Sequence, residues 1–481
     1  MNLDALLSEF PPSRHLDPAV IADRVRRSHS VLIVLDDDPT GTQSVADLPV
    51  LASWEVEDFH WAFDTGAPAV YVLTNSRSFD ADEATRINRE VVTAAVTAAR
   101  TRGLRTTFAS RGDSTLRGHF PLEPDVIGDT LVALGEPAPD GVILVPAFPD
   151  AGRVTIGGIH GMVDGGEFTP VGETEFARDS TFGYRSSRLA DWAEEKSEGR
   201  IVAGDVVELS LAVIRAGAES IAEVLSSAAP ASTFAADIVD EDDLRQLSLG
   251  LDLAESAGRS FIYRVGPPFV RARIGQAPRA PLAVDNAASS DPAAARGGLI
   301  VVGSHVGLTS RQLADLTAHR PDAVVVELDV PSILDDATAE ATVDDAVARV
   351  AGALATGDVI IHSSRTLIRT ADAAESLAIS RKVSDALVAV VRRVLEERPP
   401  RFVIAKGGIT SSDVASRGLS IRRAMVRGSL FPGIVSVWEP AEGPATGIPY
   451  IVFAGNVGSD TTLTEAVEKL SLHTTESAVQ P

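Results

Sequence analysis

Short runs of apolar, largely β-branched residues recur along this chain, separated by longer stretches of helical composition. That rhythm leaves few architectures open. Residues 31–35, 69–73, 105–109 and 142–145 read as buried strands, and 233–236 and 261–265 continue the series. Between the second and third, residues 80–100 carry a helical pattern with Asp80 or Asp82 as N-cap. Strand–helix–strand order of this kind predicts a mainly parallel sheet covered by helices on both faces. Residues 276–296 break the rhythm with Pro, Ala, Ser and Asp and no periodicity, as a linker does. It then restarts, with strands at 299–302, 323–328, 359–361, 402–405 and 450–453 and helices at 309–316, 338–355 and 373–395.

A chain of 481 residues exceeds one ordinary core. The expected fold is therefore α/β with two domains, each a mainly parallel sheet flanked by helices, and a cleft between them. The expected divisions are 1–275 (core from about 30), a linker over 276–296, and 297–481 with a disordered-like tail from about 472. The halves show no internal repeat. Residues 151–199 are Gly-rich and read as a long irregular excursion from the first domain, a kind of segment that usually carries function or disorder.

The formal net charge of -24 argues against nucleic acid and anionic membrane as partners, because both reward clustered Lys and Arg. It leaves room for a small anionic ligand held by a few local cations. With no cysteine, disulfides, thiolate nucleophiles and Cys-based metal sites are excluded. Residues 1–14 lack the apolar core of a signal peptide, and no stretch reaches the roughly 20 apolar residues of a membrane span. A cytoplasmic protein is the expectation, with a homodimer as the default assembly.

Polar motifs follow the predicted strands, where ligands of open α/β sheets bind. Asp36-Asp37-Asp38-Pro39-Thr40-Gly41-Thr42-Gln43 sets three carboxylates in a row, which repel one another and need compensation. One of them is suited to accept a proton from a substrate hydroxyl, and a solvated acidic cap is the plain alternative. Ser110-Arg111-Gly112-Asp113-Ser114-Thr115-Leu116-Arg117-Gly118-His119 combines two guanidinium groups, a carboxylate and hydroxyls. An arginine fork suits a ligand carboxylate, while an Arg–Asp pair closing a turn is the structural alternative. Asn75-Ser76-Arg77-Ser78 adds a third polar tip.

The second half supplies glycine turns between strand and helix: Gly303-Ser304-His305-Val306-Gly307, Lys406-Gly407-Gly408-Ile409-Thr410-Ser411, and Gly455-Asn456-Val457-Gly458. Backbone N–H groups in such turns favour phosphate oxygens. None is a Walker A loop or a GxGxxG fingerprint, so a dinucleotide-dependent dehydrogenase is disfavoured. Lys406 reads either as a phosphate contact or as a solvated strand-end lysine. The scattered histidines 119, 160, 305 and 362 lack zinc spacing, and no GxSxG nucleophile elbow occurs.

In this order, the motifs resemble those of the four-carbon acid sugar kinase family over roughly residues 31–470. Asp37, Asp38, Thr40 and Gly41 match its ADDxTGA motif, and Asp113 to Gly118 reproduce DSTLRG letter for letter. Ser304 matches a Gly-Ser turn, Gly407, Gly408, Thr410 and Ser411 match GGxTS, and Gly455, Asn456 and Gly458 match GNxG. The resemblance implies a sugar-acid-binding N-terminal domain, a nucleotide-binding C-terminal domain, ATP with Mg2+, and phosphorylation of a tetronate or oxo-tetronate hydroxyl. It implies Asp37 or Asp38 as base with Asp113 as rival. Asn75, Arg77, Arg111, Ser114 and Arg117 would then hold the acid, its carboxylate near Arg117 or Arg111. Ser304, Lys406, Gly407, Gly408, Ile409, Thr410, Gly455, Asn456 and Gly458 would hold ATP. Asp36 and Pro39 depart from the family's Ala and Phe, and Ile409 from a frequent acid, so the substrate and the metal ligands stay open. A non-catalytic sensor of sugar acid and nucleotide is the alternative reading.

Overall fold

The computed structural model describes residues 2–283, 297–364 and 373–471. Most of the expected linker and the expected tail lie outside these residues. Two compact units emerge, Met1–Pro278 and Arg279–Pro481.

The first unit contains β1 (Ser30–Asp36), β2 (Leu48–Leu51), β3 (Ala69–Leu73), β4 (Arg105–Arg111), β5 (Gly141–Val145), β6 (Arg153–Ile156), β7 (Ile159–Asp164), β8 (Glu167–Pro170), β9 (Val207–Leu209), β10 (Ser232–Ala236) and β11 (Phe261–Val265). Neighbouring strands run β2–β3–β1–β4–β11–β5–β10–β9, each parallel to the next. Such strands are buried on both faces, which is why their sequences are near-continuous apolar runs. Asp80 accepts from the Glu83 N–H (2.9 Å) and starts the helix Ala81–Thr101. Ala84, Ile87, Val91, Ala95 and Ala98 of that helix are buried, and small residues there let it lie close to Ile33 and Val70 of the sheet.

The excursion over 151–199 is regular in its first part. β6, β7 and β8 form a three-stranded antiparallel sheet. Its two reversals are the pairs Gly157-Gly158 and Gly165-Gly166, all four with positive φ. Two-residue hairpin loops need that geometry, and Gly-Gly supplies it without a Cβ clash. The glycines that read as irregularity are two hairpin turns.

The second unit contains β12 (Leu299–Val302), β13 (Val324–Leu328), β14 (Val359–Ser363), β15 (Val403–Lys406), β16 (Arg423–Phe431), β17 (Ile434–Pro440) and β18 (Tyr450–Phe453). Their order is β13–β14–β12–β15–β18–β17–β16, parallel through β18 and antiparallel for the last two pairs. The β16–β17 hairpin was not among the expected strands. Its exposed alternate residues, such as Arg427, dilute the apolar run that marks the other strands.

Asp237 ties the small sheet to the large one. Its buried carboxylate accepts from the N–H groups of Gly157 (2.9 Å), Gly158 (2.8 Å) and Leu211 (3.1 Å). Asp237→Ala leaves those donors unpaired and is expected to destabilise the protein by about 2–4 kcal/mol, read as a lower denaturant midpoint.

Candidate functional site

The polar tips of the first unit end four adjacent strands, β3–β1–β4–β11. Asp36 closes β1 and Arg111 closes β4, and the two are direct cross-strand partners. Register therefore places guanidinium beside carboxylate: Arg111 donates to Asp36 and to the carbonyl oxygen of Asp38, and lies 3.6 Å from Asp37. Arg77 reaches over from the tip of β3 and grips Asp37 with both ends of its fork, Nε to Oδ2 (3.0 Å) and Nη2 to Oδ1 (2.6 Å). Asp38 accepts from the Thr40 N–H (2.9 Å) and hydroxyl (2.5 Å) through Oδ1, while Oδ2 has no hydrogen bond among the described residues and lies 3.9 Å from Arg77. The three carboxylates are thus compensated by the protein itself.

The loop after β4 rests on a second buried pair. Arg264, on β11, donates through Nη1 to Ser110 Oγ (2.7 Å) and Glu123 Oε2 (2.5 Å). Glu123 also accepts from the hydroxyls of Ser110 (2.7 Å) and Ser76 (2.5 Å), joining the tips of β3 and β4. A Cβ on Gly112 would stand 2.4 Å from the Arg264 guanidinium carbon, so only glycine lets the loop cross there. Sequence reasoning missed both Arg264 and Glu123. The available signal was a charged residue inside the otherwise apolar strand Phe261–Val265, a position that demands a buried partner.

From the other side the excursion grips the same loop. His160 Nε2 meets the Ser114 carbonyl oxygen (2.8 Å), and Tyr184 donates its hydroxyl to the Thr115 carbonyl (2.6 Å). Burial holds His160 down to about 4, so the neutral ring donates from Nε2 and accepts from Thr155 at Nδ1 (3.0 Å). Arg117 donates to Asp113 (2.6 Å), approaches Asp179 (3.6 Å) and lies over the Phe176 ring.

Asp36, Asp37, Asp38, Asn75, Arg77, Arg111, Asp113, Ser114 and Arg117 all lie at these strand ends or in the loop after β4. The fork expected of Arg111 for a ligand carboxylate is, however, buried and already engaged by Asp36. Burial, reinforced by Asp37 and Asp38 and opposed by Arg111, raises Asp36 to about 7. Burial also favours the neutral form of Asp37 and Asp113, but adjacent guanidiniums outweigh it and hold both below the ordinary carboxylate range: Arg77 and Arg111 for Asp37, Arg77 and Arg117 for Asp113.

In the second unit the three glycine turns follow three adjacent parallel strands, β12–β15–β18. They are joined to one another. Gly407 N–H donates to the Phe453 carbonyl (2.8 Å), Gly303 N–H to that of Lys406 (3.3 Å), and Thr309 Oγ1 to that of Gly455 (2.9 Å). Gly407 has φ +125°, which a side chain would strain. Gly408, Ile409, Thr410, Ser304, Asn456 and Gly458 stand on the same turns, Ile409 with an exposed side chain. Lys406 is neither solvated nor at the surface. It is 0 % exposed, donating to the Ala454 carbonyl (2.5 Å) with Nζ 3.7 Å from the centre of the Phe453 ring. Burial pulls it down to about 7.

A depressed lysine pKa means the unfolded chain binds more protons than the folded one between pH 7 and roughly 10.5. Stability of this unit should therefore rise with pH through that window, by at most about 1.4 kcal/mol per unit. Comparing urea midpoints of the wild type with Lys406→Met tests this, the variant lacking that contribution to the slope.

A family model described as a sugar-binding N-terminal domain matches residues 32–273, and one described as a nucleotide-binding C-terminal domain matches residues 299–463. The D-erythronate kinase of Heliobacterium modesticaldum (strain ATCC 51547 / Ice1) is 25% identical over 390 residues, covering 76% of this chain and 80% of that protein. Among solved structures, a Salmonella typhimurium LT2 protein superposes with a TM-score of 0.65 at 19% identity, covering 90% of this chain and 98% of that one. A Haemophilus influenzae protein does so at 0.60 and 17%, covering 92% and 100%. These two likenesses concern the fold. With both domain models matched in order along its length, the chain belongs to the four-carbon acid sugar kinase family.

Proposed function

We propose that this protein is an ATP-dependent kinase that phosphorylates a hydroxyl of a small sugar acid, with tetronates such as D-erythronate as the leading class. The observation that carries the reading is the arrangement of the carboxylate tips. In a domain of sugar-binding type, the ends of the adjacent strands β1 and β4 present carboxylates whose charges are already balanced by arginines at the ends of β3 and β4. Such groups accept hydrogen bonds from several hydroxyls of a polyol chain without the charge repulsion that three bare carboxylates would suffer. In the other domain, joined glycine turns at the ends of β12, β15 and β18 offer backbone N–H groups to the phosphates of ATP.

Within the acidic cluster the roles divide by hydrogen bonding. Both oxygens of Asp37 are held by Arg77, so Asp37 orients rather than accepts. Asp113 is held acidic by two arginines and makes a poor base. Asp38 keeps Oδ2 clear, and we assign it the substrate proton. Phosphoryl transfer then depends on positioning and charge stabilisation. Magnesium is expected with ATP, yet among the described residues no group of three or more His, Asp or Glu is arranged to hold a metal. Phosphate oxygens and water are the fitting ligands for such an ion.

Purified protein incubated with ATP, magnesium and a panel of tetronates should release ADP with at least one of them. Asp38→Asn should then lower kcat by roughly 10²- to 10⁴-fold while leaving KM for ATP within a few-fold of the wild type. Saturable binding of both ligands without turnover across the panel would instead favour the sensor reading.

A further inference from the structure

The arginines that carry the acidic cluster are not free to receive a ligand's charge. Arg77 is paired with Asp37, Arg111 with Asp36, Arg117 with Asp113 and Arg264 with Glu123. A sugar acid brings one more carboxylate, and its recognition calls for a cation not already matched. Arg153, the first residue of β6, is such a cation. Among the described residues its side chain makes no hydrogen bond or ion pair, and its Nε is buried with no partner at all. It is half-buried, and the charges that reach it are those of Asp113 and Arg117.

The backbone fixes where this guanidinium starts. Arg153 exchanges hydrogen bonds with Phe148 in both directions, N–H of Phe148 to its carbonyl (2.8 Å) and its own N–H to that of Phe148 (3.0 Å). Phe148 lies three residues beyond the end of β5, which neighbours β11 in the sheet. The row of polar strand ends β3–β1–β4–β11 is thus extended by one more position, and Arg153 occupies it. β6 also carries Thr155, which bonds His160, whose other nitrogen holds the Ser114 carbonyl, so the arginine and the loop after β4 share one rigid support.

We infer that Arg153 receives the carboxylate of the sugar acid, and that the three-stranded excursion exists to place this cation beside Asp113. A partly buried guanidinium with no carboxylate paired to it is unfavourable, and an anionic ligand relieves it. Arg117 and Arg111 then serve to balance carboxylates of the protein, and selectivity for an acid over the corresponding alcohol resides in β6. This inference rests on the sugar-acid reading above.

Calorimetric titration of D-erythronate and of the uncharged four-carbon alcohol erythritol, without nucleotide, separates the two claims. Wild-type protein should bind the acid at least 10-fold more tightly than the alcohol. Arg153→Gln should weaken acid binding by roughly 10- to 100-fold, the range of a lost charge-assisted hydrogen bond, and leave the alcohol unaffected, with Arg153→Lys between. Equal acid affinity in wild type and Arg153→Gln overturns the inference. So does a wild type that fails to distinguish acid from alcohol, a comparison that stands even if Arg153→Gln does not fold. A wild type that binds neither compound while still binding ATP removes the four-carbon sugar-acid reading itself, and the inference with it.

Discussion

Asp36 and Arg111 face each other across adjacent parallel strands, both buried, at the carboxyl edge of the first sheet. Two charges removed from water in this way are a net stabiliser only when their geometry is good and their remaining hydrogen bonds are met. Here register provides the geometry, and the Asp38 carbonyl takes another donor of Arg111. The pair also makes its neighbours possible. With Asp36 and Arg111 in place, Asp37 feels one guanidinium from below and a second, Arg77, from the tip of β3. Remove either half and an uncompensated charge remains in the interior beside two more carboxylates.

From that pair outward, the site alternates in sign. Asp37 meets Arg77, Asp113 meets Arg117, and Glu123 meets Arg264 while collecting two hydroxyls. A lattice of matched charges is rigid, because each group is fixed by more than one partner, and it is locally close to neutral. Rigidity suits recognition of several hydroxyls at fixed spacing. Near-neutrality means that a ligand's own charge must be answered by a group outside the lattice, and this is where an arginine without a partner acquires meaning.

How much of this was legible in the sequence follows from which physical signal each part uses. Strands buried on both faces print as continuous apolar runs, and Phe261–Val265 and Tyr450–Phe453 are found where the runs stand. In the β16–β17 hairpin, β16 alternates between buried residues and ones open to solvent, so its run is diluted. The Gly-Gly turns of the excursion were visible as letters, but their meaning depends on the short strands either side. Asp37 and Asp113 were legible because polar residues cluster at strand ends. Arg264 and Glu123 were not, since their partnership depends on a strand register and on a helix start that only the fold brings together.

The two units answer negative charge in different ways. The first is built from guanidiniums, which stay protonated when buried and fork onto carboxylates. The second sets its cation, Lys406, under the glycine turns with a carbonyl and an aromatic face as its neighbours. Among the described residues no carboxylate pairs with that ammonium, and burial pulls its pKa down to about 7. Arginine would resist this, because its charge cannot be removed at such pH. The guanidiniums of the first unit are thus permanent charges, whereas the buried ammonium of the second is not.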